Sequence, residues 1–343
     1  MLKLQTPVTD APCKVGISYN DKIMMLGSCF TDNIGEQLAD LGFDVMINPF
    51  GTLYNPVSIL NSIERLVSGT PFDEDDCIGI GAGDQRICSF YHHTSFAGNS
   101  TEDFLTLANA TLAEARKRFL ECNKIIITLG TSWCFQHIEK DIIVSNCLKR
   151  VPSEFRRIRL TVKEVSDALK KITSAGCGLT DCVLKQFIFT VSPIRHFKDG
   201  AHGNQISKST LLLGIEDFME NCPVDLSLDP FYLADYFPAY EIVMDELRDY
   251  RFYADDMAHP SPQAVEYVWE RFVEHCTDAE AQRFMAQWTK VVKALEHRPF
   301  RPDSPQYRSF VAQTLNTINE LKDQHPHIEV DKEICLCNTL SHT

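Results

Sequence analysis

The stretch Ile23-Met24-Met25-Leu26-Gly27-Ser28-Cys29-Phe30 decides the fold: four apolar residues, then three small ones, then the start of an amphipathic segment. It reads as a buried strand that turns sharply into a helix. Two further runs, Ile125-Ile126-Ile127-Thr128-Leu129 and Phe187-Ile188-Phe189-Thr190-Val191, are almost continuously apolar. Strands covered on both faces, as in a parallel sheet, need that composition. The spacing predicts strands over 22–26, 43–47, 124–129 and 186–191, and a weaker one near 251–253.

Helical stretches fall between the strands. Residues 31–41 place Ile34, Leu38 and Leu41 on one face, with Thr31 or Asp32 as N-cap. The pattern recurs over 56–67, 101–119, 162–172, 207–219, 239–249 and 262–276. Strand–helix alternation implies a three-layer α/β/α, flavodoxin-like parallel sheet with right-handed crossovers and strand order 2-1-3-4-5. Ligands of such sheets bind at the carboxyl ends of the strands. Residues 1–276 are expected to form this domain, with loop or hairpin insertions over 71–96 and 133–150 near that edge. Residues 277–330 read as a helical extension, broken at Arg298-Pro299-Phe300-Arg301-Pro302. The extension is expected to pack on the domain or to pair two copies of the chain. Residues 331–343 are expected to be a frayed tail.

With 343 residues, 44% hydrophobic and 23% charged, the chain can bury a sizeable core. Thirty-three Lys and Arg against 47 Asp and Glu leave a net charge of −14, which argues against nucleic acid as a partner. A basic cluster at Lys149, Arg150, Arg156, Arg157 and Arg159 reads as a solvated face or loop. Thirteen irregularly spaced cysteines fit free thiols in a reducing compartment. The first residues lack the apolar region of a leader, and no apolar run is long enough to span a bilayer. The expectation is a soluble cytoplasmic protein without a membrane partner.

A serine hydroxyl at a strand-to-helix turn meets unpaired N–H groups of the helix N-terminus, which favour a developing oxyanion. Ser28 is a weak nucleophile on its own and needs a base; without one it merely caps the helix. Cys29 is the rival, since a thiol gains thiolate character at the same helix end. Successive residues of a strand point to opposite sides, so if Ser28 faces the cleft, Cys29 should face the core. Asp256-Met257-Ala258-His259 supplies a base and its orienting carboxylate, because residues three apart lie side by side on a helical turn. Asp255 is less well spaced. Asp199-Gly200-Ala201-His202 repeats the spacing and ranks second, because no strong helix opens just after it, whereas Pro260-Ser261-Pro262 opens one.

Gly27-Ser28-Cys29-Phe30 resembles the signature of the GSCFA family, with Thr31 where alanine is usual. The resemblance continues through Asn48-Pro49-Phe50-Gly51-Thr52-Leu53-Tyr54-Asn55-Pro56 and Thr128-Leu129-Gly130-Thr131-Ser132-Trp133. It also covers Asn146-Cys147-Leu148-Lys149-Arg150-Val151-Pro152, Val191-Ser192-Pro193-Ile194-Arg195-His196 and the Asp256–His259 string. That family is similar to the SGNH (GDSL-like) hydrolases, α/β/α proteins that hydrolyse or transfer O-acyl groups with Ser, Asp and His. The resemblance implies Ser28 as nucleophile, Asp256 and His259 as its partners, and the Ser28 and Gly51 backbone N–H groups as oxyanion donors. An asparagine is expected after the third strand, where this chain has Ser132. Ser132, Asn48, Asn146 and Arg195 are the candidates to replace it. Loss of one such donor typically lowers a rate by two to three orders of magnitude.

Other strings carry less. Gly79-Ile80-Gly81-Ala82-Gly83 has the wrong spacing for a dinucleotide loop. His92-His93 and Cys335-Leu336-Cys337 lack second ligand clusters. Neither metal nor organic cofactor is expected. Arg195-His196 either contacts a ligand or ties loops together. Trp133, Phe90 and Tyr91 either wall a sugar site or belong to the core. The reading is a serine esterase acting on a small-molecule or glycan ester. The alternatives are an O-acyltransferase on the same site and a non-catalytic glycan- or metabolite-binding protein.

Overall fold

Five parallel strands form the central sheet: β1 (Lys22–Gly27), β2 (Asp44–Ile47), β3 (Lys124–Leu129), β4 (Gln186–Val191) and β5 (Ala234–Phe237). They lie in the order β5-β4-β3-β1-β2, which is 2-1-3-4-5, with every neighbouring pair parallel. The computed structural model describes residues 6–9, 11–177, 183–221, 234–326, 328 and 330–341.

Side chains along a strand alternate between faces. Met24, Leu26, Ile125, Ile127, Phe187 and Phe189 therefore enter one apolar cluster, and Ile23, Met25, Ile126 and Ile188 enter the other. The first cluster is closed by α2 (Pro56–Ser68), α3 (Thr101–Glu121), α4 (Val162–Cys177) and α5 (Gly200–Glu220). The second is closed by α1 (Cys29–Asp40) and α6 (Pro262–Cys276). It also takes in residues of α7 (Ala279–Glu296), α8 (Pro305–Gln324) and α9 (Asp331–Ser341). Both faces of the sheet are thus helix-covered, and the arrangement is a three-layer α/β/α fold with a helical C-terminal region.

Several elements differ from the sequence reading. The fifth strand is Ala234–Phe237, not residues 251–253; Tyr250–Phe252 is a short 3-10 turn capped by the Asp249 side chain. Asp235 interrupts the apolar run of that strand, so pairing with β4, rather than local pattern, makes it a strand. Residues 239–249 hold a three-residue helix, Ala239–Glu241, that runs into a π turn, Ile242–Glu246. α5 begins at Gly200, seven residues before the expected start, and buries Asn204, whose side chain accepts the His196 N–H at 2.8 Å. Asp331–Ser341 is a helix with Cys337 buried, where a frayed tail was expected.

The insertion after β3 is an antiparallel sheet of Ile142–Val144, Trp133–His137 and Phe155–Arg159. Arg156, Arg157 and Arg159 of the basic cluster are exposed on the last of these strands, and Lys149 and Arg150 lie outside it. This small sheet stands beside the carboxyl ends of β1, β3 and β4. Among the described residues no helix is long and apolar enough to cross a membrane.

Candidate active site

A cavity of about 400 Å³ opens at the carboxyl ends of β1, β3 and β4. Its wall includes Ser28, Cys29 and Tyr54 from one side and Arg195, His196 and His259 from another. Trp133, Phe135 and Arg157 of the small sheet complete it.

The turn from β1 to α1 places the two nucleophile candidates. Gly27 sits at φ +146°, and a Cβ there would lie 2.3 Å from the Thr128 carbonyl oxygen, so the close approach of β1 and β3 requires glycine. Ser28 is the N-cap of α1 and is 1% exposed. Its side chain makes no capping bond, and its buried Oγ has no hydrogen-bond partner among the described residues. Cys29 is the first residue of the helix and half-buried, with Sγ 3.9 Å from His259 Nε2. The expectation that Cys29 faces the core is therefore corrected: strand alternation ends at Gly27, and Cys29 already follows helical geometry. Burial pushes its thiol up, and the Asp32 carboxylate adds to this. The backbone N–H groups of Cys29 and Phe30 at the helix start, together with the Lys208 charge, act in the opposite direction.

His259 is held by Asp256. Its Nδ1 lies 2.5 Å from Asp256 Oδ2, while Asp256 Oδ1 accepts the N–H groups of Ala258 and His259, both at 2.9 Å. Those two backbone donors, the His259 one foremost, and then the imidazole hold the Asp256 carboxyl down at about 2. The segment is a tight turn and not a helix, with Met257 at φ +56°. An aspartate that folds back on its own following N–H groups is a common turn device. The Arg195 N–H donates to the Ala258 carbonyl at 3.0 Å and ties this turn to the end of β4. Nδ1 is thus engaged and Nε2 faces the sulfur, the tautomer arrangement a general base needs.

The other expected residues divide sharply. The decoy does not assemble: Asp199 pairs with Arg157 at 2.6 Å, and His202 is exposed. The Ser28 N–H donates to the Thr128 carbonyl at 3.2 Å, and the Gly51 N–H to the Asn48 carbonyl at 2.7 Å. Both expected oxyanion donors are therefore engaged in backbone bonds. Ser132 is fully buried, with its N–H and hydroxyl bonded to Ser207 Oγ. Asn48 bridges the Gly27 N–H and Asp32, and Asn146 bonds the His92 carbonyl and the Leu148 N–H; both are architectural. Trp133 lines the cavity, its Nε1 donating to the Gly203 carbonyl at 3.2 Å. Phe90 packs in the core, and buried His92 sits among Phe50, Phe72 and Phe104. Among the described residues no cluster of three or more His, Cys, Asp or Glu is arranged to hold a metal ion.

The polar groups that remain on the cavity include the N-terminus of α1, His196 and Arg195. Burial first, and the Lys208 charge second, push the His196 imidazole down to about 4, and its buried Nε2 has no partner among the described residues. Lys208 was not anticipated. It is fully buried and donates from Nζ to the Gly130 and Ser192 carbonyls, both at 2.6 Å. A lysine on the buried face of α5 shared with Asn204, Leu211 and Ile215 was the available signal. Tyr54 and Lys198 also line the cavity without having been singled out.

Comparison with curated proteins and with solved structures finds no match. The model of the GSCFA domain protein, C-terminal domain, matches residues 288–340. The GSCFA family model matches residues 22–272, from the first residue of β1 into α6 and including both Cys29 and His259, so the chain belongs to the GSCFA family.

Proposed function

We propose that this protein is an esterase or O-acyltransferase that carries the acyl group of an acylated carbohydrate or small metabolite on Cys29. The observation that supports this most is the approach of His259 Nε2 to the Cys29 sulfur, with Asp256 on the opposite ring nitrogen. The resemblance to the SGNH hydrolases supports the same class of chemistry, with a thiol in place of the hydroxyl.

His259 Nε2 takes the Cys29 proton as the sulfur attacks the acyl carbon. The Cys29 and Phe30 N–H groups, and His196 Nε2 if that nitrogen carries the proton, are placed to stabilise the oxyanion. Collapse breaks the C–O bond, the leaving alkoxide takes the proton from His259, and a thioester remains. Water or an acceptor hydroxyl then gives its proton to His259 and attacks the thioester. The product is a free acid or a new ester, and the thiol is regenerated. Asp256 orients the ring and stabilises its cation throughout.

A second reading keeps Ser28 as the nucleophile, because its hydroxyl also borders the cavity and has no partner among the described residues. The two readings separate chemically. Exposure to p-nitrophenyl acetate, acid quench and peptide mapping should find one acetyl group on Cys29, removed by hydroxylamine at neutral pH as a thioester is. Cys29→Ala should abolish it and lower turnover by about 10³-fold or more. An acetyl group on Ser28 that resists neutral hydroxylamine would transfer the role to serine. No acetyl group at either residue would overturn covalent acyl transfer and favour a binding protein.

A further inference from the structure

The acyl-transfer chemistry leaves cations in the cavity without a use, Arg195 foremost. Arg195 follows β4, and its backbone N–H holds the turn that carries His259. Its side chain borders two cavities, the one containing Cys29 and a second of about 390 Å³. Val243, Met244, Leu247, Tyr253 and Met257 form much of the second.

Four carboxylates on the neighbouring segments are already engaged. Asp199 is held by Arg157 at 2.6 Å, Asp245 by Arg248 at 2.9 Å, Asp249 by Arg251 at 3.0 Å and Asp256 by His259 at 2.5 Å. No carboxylate among the described residues pairs with Arg195. Its guanidinium instead meets weak acceptors: the Met244 sulfur 3.4 Å from Nη1, the Tyr253 hydroxyl, and the Phe197 ring with its centroid 5.5 Å away. Its Nε is buried and has no acceptor at all among the described residues. A desolvated guanidinium N–H left unpaired is unfavourable, and an oxyanion that meets the planar fork relieves it. Lys198 on the same cavity adds positive charge, in a chain whose net charge is −14. A local positive site in an acidic protein selects anions by both attraction and exclusion elsewhere.

We infer that Arg195 binds an oxyanion of the substrate, a carboxylate or phosphate, so that the acyl compounds processed at Cys29 are anionic. The second cavity, lined by polar as well as apolar side chains, then receives the part of the substrate beyond that anion. This inference rests on Cys29 being the reactive group, and it adds the charge class of what reaches it.

Two alkylating probes test it without knowledge of the substrate. Iodoacetate and iodoacetamide attack the same thiolate and differ in charge. Their rates at Cys29 are followed by peptide mapping and normalised to free glutathione. Wild type should prefer iodoacetate by about tenfold or more. Arg195→Gln should lose that preference with the iodoacetamide rate largely kept, and Arg195→Lys should retain part of it. Raising the salt of the wild type to about 0.5 M should also erode the preference, which keeps the test valid if a variant fails to fold. Protection of Cys29 from iodoacetamide by acetate or by inorganic phosphate tells which oxyanion is favoured. Reaction with both probes but equal normalised rates in wild type and Arg195→Gln would overturn the anion site alone. A Cys29 that neither probe modifies would overturn the reading of Cys29 as the nucleophile together with the inference built on it.

Discussion

At the scale of single residues, the proposed chemistry turns on the state of the Cys29 thiol. Burial and Asp32 both raise its pKa, and the helix-start N–H groups only partly compensate. A raised pKa means less thiolate at any given pH, and the proposed mechanism accordingly has His259 take the proton during attack. Alkylation by iodoacetamide should therefore still be climbing above about pH 8.5, the ordinary thiol value. Asp32→Asn, which removes a negative charge, should move the profile to lower pH. A rate profile that levels off below pH 8 in the wild type would contradict this and indicate a preformed thiolate. The sequence placed Ser28, Asp256 and His259 at one sheet edge, but it ranked Ser28 above Cys29 and expected Cys29 to face the core, whereas both border the cavity. Strand alternation was the wrong rule there, because the chain has left β1 at Ser28 and begun α1 at Cys29. Gly51 and Ser132 were misread for a related reason. Which hydrogen bonds an N–H or hydroxyl has already made is a property of three-dimensional neighbours, such as the Asn48 carbonyl and Ser207, that spacing does not reveal.

At the scale of elements, α5 does more than cover the sheet. Lys208 reaches from it to the carbonyls that follow β3 and β4, Gly130 and Ser192, and so fixes two of the three strand ends bordering the cavity. Burial pushes this lysine down to about 7 from 10.5. A neutral amine still has two N–H donors for the two carbonyls, so both bonds survive deprotonation. Between about pH 7 and 10 the unfolded chain binds the proton and the folded chain does not. Stability should therefore rise with pH across that window, by at most about 1.4 kcal/mol per pH unit from this group. Lys208→Met should flatten that rise in urea unfolding measured at several pH values. It should also destabilise the fold by about 2–5 kcal/mol, because two buried carbonyls lose their donor. An unchanged pH slope in the variant would show that Lys208 stays charged in the folded state. The strongly apolar strands were legible in the sequence, as were the helices with clean amphipathic stripes. The exceptions were elements that exist because of their neighbours: β5 with Asp235 in its run, and the first turns of α5. Their local preference is weak, and pairing with β4 and packing on the loop after it decide the outcome.

At the scale of the whole molecule, the question is whether the C-terminal helices are an appendage. One apolar cluster runs without a break from Ile23 and Met25 on the sheet, through Leu38 of α1 and Phe272 of α6, to Phe284, Trp288, Tyr307 and Val311 beyond residue 276. Tyr19 stacks on Phe43 with centroids 4.0 Å apart and meets the Phe284 edge at 4.1 Å. Buried Trp288 donates from Nε1 to the Asp40 carbonyl, the last residue of α1, at 3.2 Å. The helix that begins at Cys29 is thus sealed at its far end by the extension. Removing everything after residue 276 would expose Tyr19, Phe43 and Leu38, each contributing roughly 2 kcal/mol through burial. That loss is comparable to the whole stability of a typical domain once the rest of the cluster is counted. The truncated chain should therefore fail to yield a folded monomer by size-exclusion chromatography. Trp288→Ala is the gentler test. It should cost about 3–5 kcal/mol and lower a single unfolding transition, with acetylation of Cys29 by p-nitrophenyl acetate lost in step with the helix signal. An early, separate transition that leaves Cys29 reactivity untouched would instead make the extension an independent unit. In the expected case, stability of the C-terminal helices and integrity of the site are one property, because α1 carries Cys29, the proposed reactive residue, at one end and rests on the extension at the other.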